Sequence, residues 1–312
     1  MIPVNSTSSY SDSCSEAGNR NRHAYLVMAH HHFRQLAVLL EILDDERNDI
    51  YLHIDSKAAN VPIDLLESSL RKSRLVMLPR TNVTWGGDSI ARCELMLMRA
   101  SALGHYGYYH LLSGDDLPLK TQDEIHAFFR ENDGTEYISF VSDINRFNWI
   151  KDMKYYYFFQ KLKYRRSLWR WSYRLANHCS LFAQKIFLMD RTRKRLTRYR
   201  KGANWFSVTD DLVQYVLGEQ VLKEMWRMMR WTRHGDETVL QTMVDQSGFG
   251  ARVSSETNER VNEYRWNARE INWKGGKSPE NYTMQDLPFL RKSKAMFARK
   301  FSEEEDFQII ET

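Results

Sequence analysis

Four short stretches gather side chains that can hold charge or move a proton: His30-His31-His32, His53-Ile54-Asp55-Ser56-Lys57, Ser113-Gly114-Asp115-Asp116 and His234-Gly235-Asp236-Glu237-Thr238. Consecutive histidines suggest a metal, but three adjacent side chains in one turn cannot all address one ion. Hydrogen bonding by His30 at a strand end is the stronger reading. His53 and Asp55 are two residues apart and share one face of a strand. They fit a metal pair, and a ligand-facing Asp55 without metal is preferred. Asp115-Asp116 reads as readily as a turn or helix cap as it does as a binding pair. Asp236 and Glu237 open a helix, where the macrodipole favours carboxylates. Capping alone explains them; if Glu237 faces a pocket, it is a candidate general base.

The elements that must position these groups follow an α/β rhythm, with short apolar runs alternating with amphipathic stretches from residue 23 to about 140. Residues 24–29, 50–54, 75–78, 108–112 and 137–140 are expected as strands, and 33–43, 63–70, 89–103 and 123–129 as helices. Asp88 or Ser89 is expected to cap the third helix, after the turn Trp85-Gly86-Gly87. Further on, 204–208 reads as a strand, 211–217 and 237–244 as helices, 271–273 as a strand end, and 286–300 as helical at first. Such alternation builds a mostly parallel, doubly wound sheet, whose ligands bind beyond the carboxyl ends of the strands. The first three reactive stretches all follow expected strands, so their polar residues converge on one edge.

Composition removes several classes. The 312 residues are 42% hydrophobic and 27% charged, as in an ordinary globular chain. Cys14, Cys93 and Cys179 give neither a disulfide framework nor a CxxC pair, which suggests a reducing compartment. No run of about 18 apolar residues occurs, so no transmembrane helix is expected. Residues 1–22, rich in Ser and Asn, read as a disordered tail and not a signal peptide. A cytoplasmic location follows as an expectation. GxGxxG, GxxxxGK and GxSxG are absent, which removes the main supports of dinucleotide, ATP and acyl-hydrolase readings.

The net charge of +5 hides an asymmetry. Residues 151–201 carry 16 Lys or Arg against Asp152 and Asp190, a local +14, and everything else carries −9. The same segment holds Tyr155, Tyr156, Tyr157, Trp169, Trp171 and Tyr173. It reads as a solvated helical insertion, or as a surface for anionic membrane or an anionic acceptor. Nucleic acid comes last and is not expected as a partner, because a basic module explains nothing about the acidic strand ends.

Taken in order, Ala29-His30, His53-Ile54-Asp55-Ser56-Lys57, Trp85-Gly86-Gly87-Asp88-Ser89, Leu112-Ser113-Gly114-Asp115-Asp116-Leu117-Pro118, Gly202-Ala203-Asn204-Trp205-Phe206, Asp236-Glu237 and Phe297-Ala298-Arg299-Lys300-Phe301 resemble the core-2/I-branching glycosyltransferase family. That family includes β-1,6-N-acetylglucosaminyltransferases and peptide O-xylosyltransferases. The resemblance implies a GT-A type α/β fold with a mostly parallel, doubly wound sheet, and the basic helical insertion at 145–201 does not look like one of the shared motifs. The resemblance implies one catalytic domain over 23–312: a nucleotide-sugar half at 23–144, the insertion at 145–201, and an acceptor and catalytic half at 202–312.

The implied reaction is inverting transfer of a sugar from a UDP donor to a glycan or lipid-linked acceptor. N-acetylglucosamine is the favoured sugar and xylose the alternative. No cofactor is implied, since N-acetylglucosaminyltransferase relatives work without a divalent metal, and strict Asp-x-Asp, the usual metal clamp, is absent here. By the same resemblance Glu237 is the base, and His30, Asp55, Asp116, Lys277 and Lys300 serve the donor. Lys277 falls where relatives carry arginine and lacks its fork. Trp205 and Trp273 are the expected acceptor platform. The basic segment is then left without a part in the chemistry, and peripheral contact with the inner membrane face is its expected use. The reading from another class is a non-catalytic protein that grips an anionic surface.

Overall fold

The computed structural model describes residues 20–84, 86–141, 150–159, 167–192, 199–257, 263–273 and 278–312. In chain order, β1 (His23–Ala29), α1 (Phe33–Leu43), β2 (Asn48–Ile54), α2 (Ile63–Ser68), β3 (Arg74–Met77), α3 (Ser89–Ser101) and β4 (Tyr108–Ser113) form the first half. β5 (Asp116–Pro118), α4 (Gln122–Glu131), β6 (Tyr137–Ile138), β7 (Phe140–Val141), α5 (Ile150–Lys154) and α6 (Ser167–Ile186) follow. The last part holds β8 (Phe206–Thr209), α7 (Asp210–Leu217), α8 (Glu219–Met229), α9 (Val239–Asp245), β9 (Glu263–Arg265), β10 (Arg269–Ile271), α10 (Leu287–Leu290), β11 (Phe297–Arg299) and α11 (Gln308–Glu311).

The main sheet runs β3-β2-β1-β4-β8-β6. The first four strands are mutually parallel, with Val27 of β1 beside Leu52 and Leu112, and β8 is antiparallel to both its neighbours. Side chains alternate across a strand, so the sheet buries two faces. Ala24 and Leu26 join one core, with Leu95 and Met98 of α3, Val213 of α7 and Met225 of α8. Tyr25 and Val27 join the other, with Leu36, Leu39 and Leu40 of α1 and Ile125 of α4. This is the mostly parallel, doubly wound arrangement expected from the alternation.

A second sheet, β10-β11-β5, packs beyond the carboxyl end of β4. β5 and β11 are antiparallel, with Arg299 directly opposite Asp116. The buried Arg269 fastens this sheet to the main one, donating to the carbonyls of Leu111 of β4 (3.1 Å), Phe206 of β8 (2.5 Å) and Asn267 (2.5 Å).

Three local expectations are corrected. The strand expected at 137–140 is two strands in different sheets, broken at Ser139, whose Oγ accepts from the Ala203 amide at 2.7 Å. Gly202 crosses so closely that a Cβ there would stand 1.7 Å from the Ser139 carbonyl oxygen, so only glycine fits. The Asp88 side chain does not cap α3; it pairs with Arg92 one turn later at 2.8 Å. The helix expected from residue 237 starts at Val239, and Gly235–Glu237 form a separate 3-10 turn.

Candidate active site

The first group of charged residues collects where β1, β2 and β4 end. Asp55 is buried and accepts from the amides of Lys57 (2.8 Å) and Val83 (3.3 Å), with Lys57 Nζ at 3.1 Å. Asp115 is buried with Lys300 Nζ 3.5 Å from Oδ2. His30 stands at the rim. Its pKa is lowered first by partial burial of the ring, with Asp115 and Asp55 opposing that shift and Lys300 and Lys57 reinforcing it. The four groups that act on His30 are thus the ends of three different chain segments, gathered at one edge. His53, in contrast, is spent inside the fold, since its Nε2 accepts from the Thr81 amide at 3.0 Å.

The second group centres on Asp116. Oδ2 accepts from the Ser113 amide at 2.7 Å, and Arg299 donates to Oδ1 at 2.6 Å and also to Ser113 Oγ. Burial raises the Asp116 pKa, while Arg299 and the Ser113 amide oppose that rise. What this carboxylate presents outward is therefore Arg299. The guanidinium also lies over the Trp205 ring at 4.4 Å, a cation–π contact. Trp205, expected as an acceptor platform, has this face covered. Trp273 is 38% exposed. Lys277 lies outside the described residues, as does Trp85.

The third group is the turn Gly235–Glu237. It rests on Gly86: the His234 amide donates to the Gly86 carbonyl at 3.2 Å, and Gly86 has φ +72°. His234 Nδ1 is 3.1 Å from Asp152 Oδ2, which ties the turn to α5. Glu237 is the partly exposed carboxylate of the turn, held by Lys201 Nζ at 2.6 Å from Oε2. Asp236 points inward and shares a water-sized cavity of about 10 Å³ with Glu94. Burial first, then Glu237, hold the Asp236 carboxyl well above its ordinary value. Burial first, then Asp236, do the same to Glu94, against a hydrogen bond from Asn204 Nδ2 at 3.2 Å. Both inner carboxyls are pushed toward their neutral form, and Glu237 is the one that faces out.

A short segment joins the second and third groups. The Gly202 amide donates to the Glu237 carbonyl at 3.0 Å, and Trp205 lies beneath Arg299. Three residues of chain span about 10 Å at most, so this segment keeps the backbone of Glu237 at one end near the guanidinium over Trp205 at the other. The fold brings the expected residues Glu237, Asp55, Asp116 and Lys300 into these groups beside Arg299 and Asn204, which stood in the sequence motifs without a role, and Lys201, which was not singled out. The Arg299-Lys300 pair was visible as a basic cluster, but the alternation that turns Arg299 to Asp116 and Lys300 to Asp115 needs the strand register. A separate recess of about 480 Å³ lies at the opposite end of the sheet, lined by His23, Arg47 and His126.

The chain was compared with known proteins. The family model of the Core-2/I-Branching enzyme matches residues 23–291. Among curated proteins, Xylosyltransferase 2 of Homo sapiens and that of Mus musculus are each 25% identical over 311 residues, covering 93% of this chain and 33% of the relative. The chain thus spans about a third of the length of the curated relatives it matches. Among solved structures, mouse xyloside xylosyltransferase 1 in its apo form aligns at 10% identity and a TM-score of 0.36, over 88% of this chain and 96% of that one.

Proposed function

The chain belongs to the core-2/I-branching enzyme family, with an α/β fold of the GT-A type, and we propose that it transfers a sugar from a UDP donor to an acceptor hydroxyl with inversion. The single observation that supports this reading is the 202–205 segment, which joins the turn carrying Glu237, through its backbone carbonyl, to the Trp205 ring that lies under Arg299.

In the proposed step, Glu237 takes the acceptor proton as the hydroxyl oxygen attacks the anomeric carbon. The bond to UDP breaks, its electron pair leaves on the diphosphate, and Lys300 with Arg299 stabilises that charge in place of a metal. His30, Asp55 and Lys57 lie on the same strand edge and bind the nucleotide portion. Asp116 acts by fixing Arg299, and the exposed ring of Trp273 receives the acceptor.

The donor is the finer question. The curated relatives bear the name xylosyltransferase, which brings UDP-xylose level with or ahead of the UDP-N-acetylglucosamine that the sequence favours. The test is a panel of UDP-sugars in EDTA, with mass spectrometry of the products. The expected result is transfer without added metal and, for Glu237→Gln, loss of transfer with UDP binding retained. Strict dependence on manganese, or turnover by Glu237→Gln, overturns the mechanism.

A second reading concerns the basic segment. No helix among the described residues is long and apolar enough to cross a membrane. α6 contains no Asp or Glu, and Leu175, Phe182 and Ile186, which recur at helical spacing, are exposed. A basic helix with an uncovered apolar stripe fits an anionic lipid surface. Co-sedimentation with phosphatidylserine vesicles, weaker with phosphatidylcholine and weaker for Phe182→Ser/Ile186→Ser, is the expected result; equal binding throughout removes this reading.

A further inference from the structure

The histidine run offers a site that the transfer chemistry does not use. We propose that His31, His32 and Asp115 bind one divalent transition-metal ion of the zinc, cobalt or nickel class. His32 sits at the start of α1 with φ 55° and ψ 54°, a left-handed conformation uncommon for a residue with a side chain. That reversal lets the neighbouring His31 and His32 converge. Their Nδ1 atoms stand 3.7 Å and 3.5 Å from the same Asp115 Oδ1. One donor atom from each of the three residues lies within 4.8 Å of the others.

Ligands held about 2.1 Å from a tetrahedral ion are about 3.4 Å apart, close to these separations. Both Nδ1 atoms are buried and have no hydrogen-bond partner among the described residues. His32 has no capping duty either: the Gln35 amide at the start of α1 donates to Glu303 at 2.6 Å instead. The far nitrogen of the His32 ring, Nε2, is 3.6 Å from Glu304 Oε1, the outer-shell carboxylate that metal-bound histidines commonly address. Asp115 divides its oxygens, Oδ1 to the histidines and Oδ2 to Lys300, so an ion leaves the lysine its partner. Two imidazoles and one carboxylate favour zinc-like ions over magnesium or calcium, which prefer oxygen.

The test is calorimetric titration of EDTA-stripped, dialysed protein with Zn²⁺, in a Cys14→Ser/Cys179→Ser background that removes competing thiols. His32→Asn keeps a residue that tolerates the left-handed backbone, and an unchanged melting temperature without metal verifies its fold. The expected result is one ion per chain, saturable binding lost in His31→Ala and in His32→Asn, and affinity about tenfold weaker in Glu304→Gln. Absence of saturable binding, or binding equal in the parent and both histidine variants, overturns the site. Since the readout is the metal alone, failure here is separate from failure of the sugar-transfer reading.

Discussion

Lys201 Nζ stands 2.6 Å from Glu237 Oε2, so the last residue of the basic segment holds the carboxylate proposed as the base. On the proposed mechanism the basic segment therefore touches the base, although the sequence assigns it no part in the chemistry. Its other end is anchored to the same turn, through Asp152 of α5 and His234. The side chains of Glu237 and Lys201 are 35% and 20% exposed, and such a pair contributes about 0–1 kcal/mol to stability. Its consequence is orientation.

Lys201→Met should therefore fold with little change in melting temperature and bind UDP as before. Its kcat should fall by roughly tenfold, because a loosely held base loses its alignment with the acceptor hydroxyl. Steady-state kinetics beside UDP calorimetry separate the two effects. Weakened UDP binding with intact kcat would make Lys201 a donor contact instead.

Arg299 and the buried Asp116 form a cross-strand pair, in register and 2.6 Å apart, with the Arg299 side chain partly exposed. Removing the cation leaves a buried carboxylate that burial already pushes toward its neutral form. Arg299→Met should cost about 3–5 kcal/mol. Arg299→Met/Asp116→Asn should recover part of that loss, because both charges are then gone. Chemical denaturation of the double-mutant cycle measures it, and strict additivity would mean the two residues act apart.

Element spacing carried much of this far and then stopped for physical reasons. β1, β2 and β4 were legible as short apolar runs because both of their faces are buried, and α1 because its one buried face imposes a period of 3.6. The β10-β11-β5 sheet was not, since three-residue strands have no period to read. Asp236-Glu237 suits a helix start as well as a turn, so residue types alone do not tell that a 3-10 turn carries Glu237. The convergence of His31 and His32 depends on one left-handed residue, and no pattern of residue types encodes that. Lys201 and Glu237 meet across 36 residues of chain, a contact set by where Gly202 passes Ser139.

Gly86 supports the turn that carries Glu237, and it is the clearest point where backbone freedom serves the site. At φ +72° an L side chain is strained, and a Cβ would stand 3.0 Å from His234 Nε2. Gly86→Ala should cost about 1–2 kcal/mol and lower kcat more than it lowers UDP affinity, since His234 and Glu237 move together. A variant with wild-type kinetics would show that the turn adapts without its glycine.

The buried acid Asp236 predicts a pH dependence whose sign runs against ordinary acid denaturation. Its folded-state pKa is raised from the ordinary carboxylate range to about 7, chiefly by burial. Between the unfolded and folded values the native chain keeps a proton that the unfolded chain has lost. Stability from this group is therefore greatest in acid and falls as pH rises through the folded value. Asp236→Asn cannot ionise and should lose that dependence, with an advantage over wild type that is larger at pH 8 than at pH 5, growing by about 1.4 kcal/mol per pH unit up to a pH of about 7 and level above it. Denaturant titrations of both proteins at the two pH values measure it. An advantage that shrinks with pH would mean that Asp236 is ionised in the native protein, and that the inner carboxyls cannot be the neutral backing on which Glu237 rests.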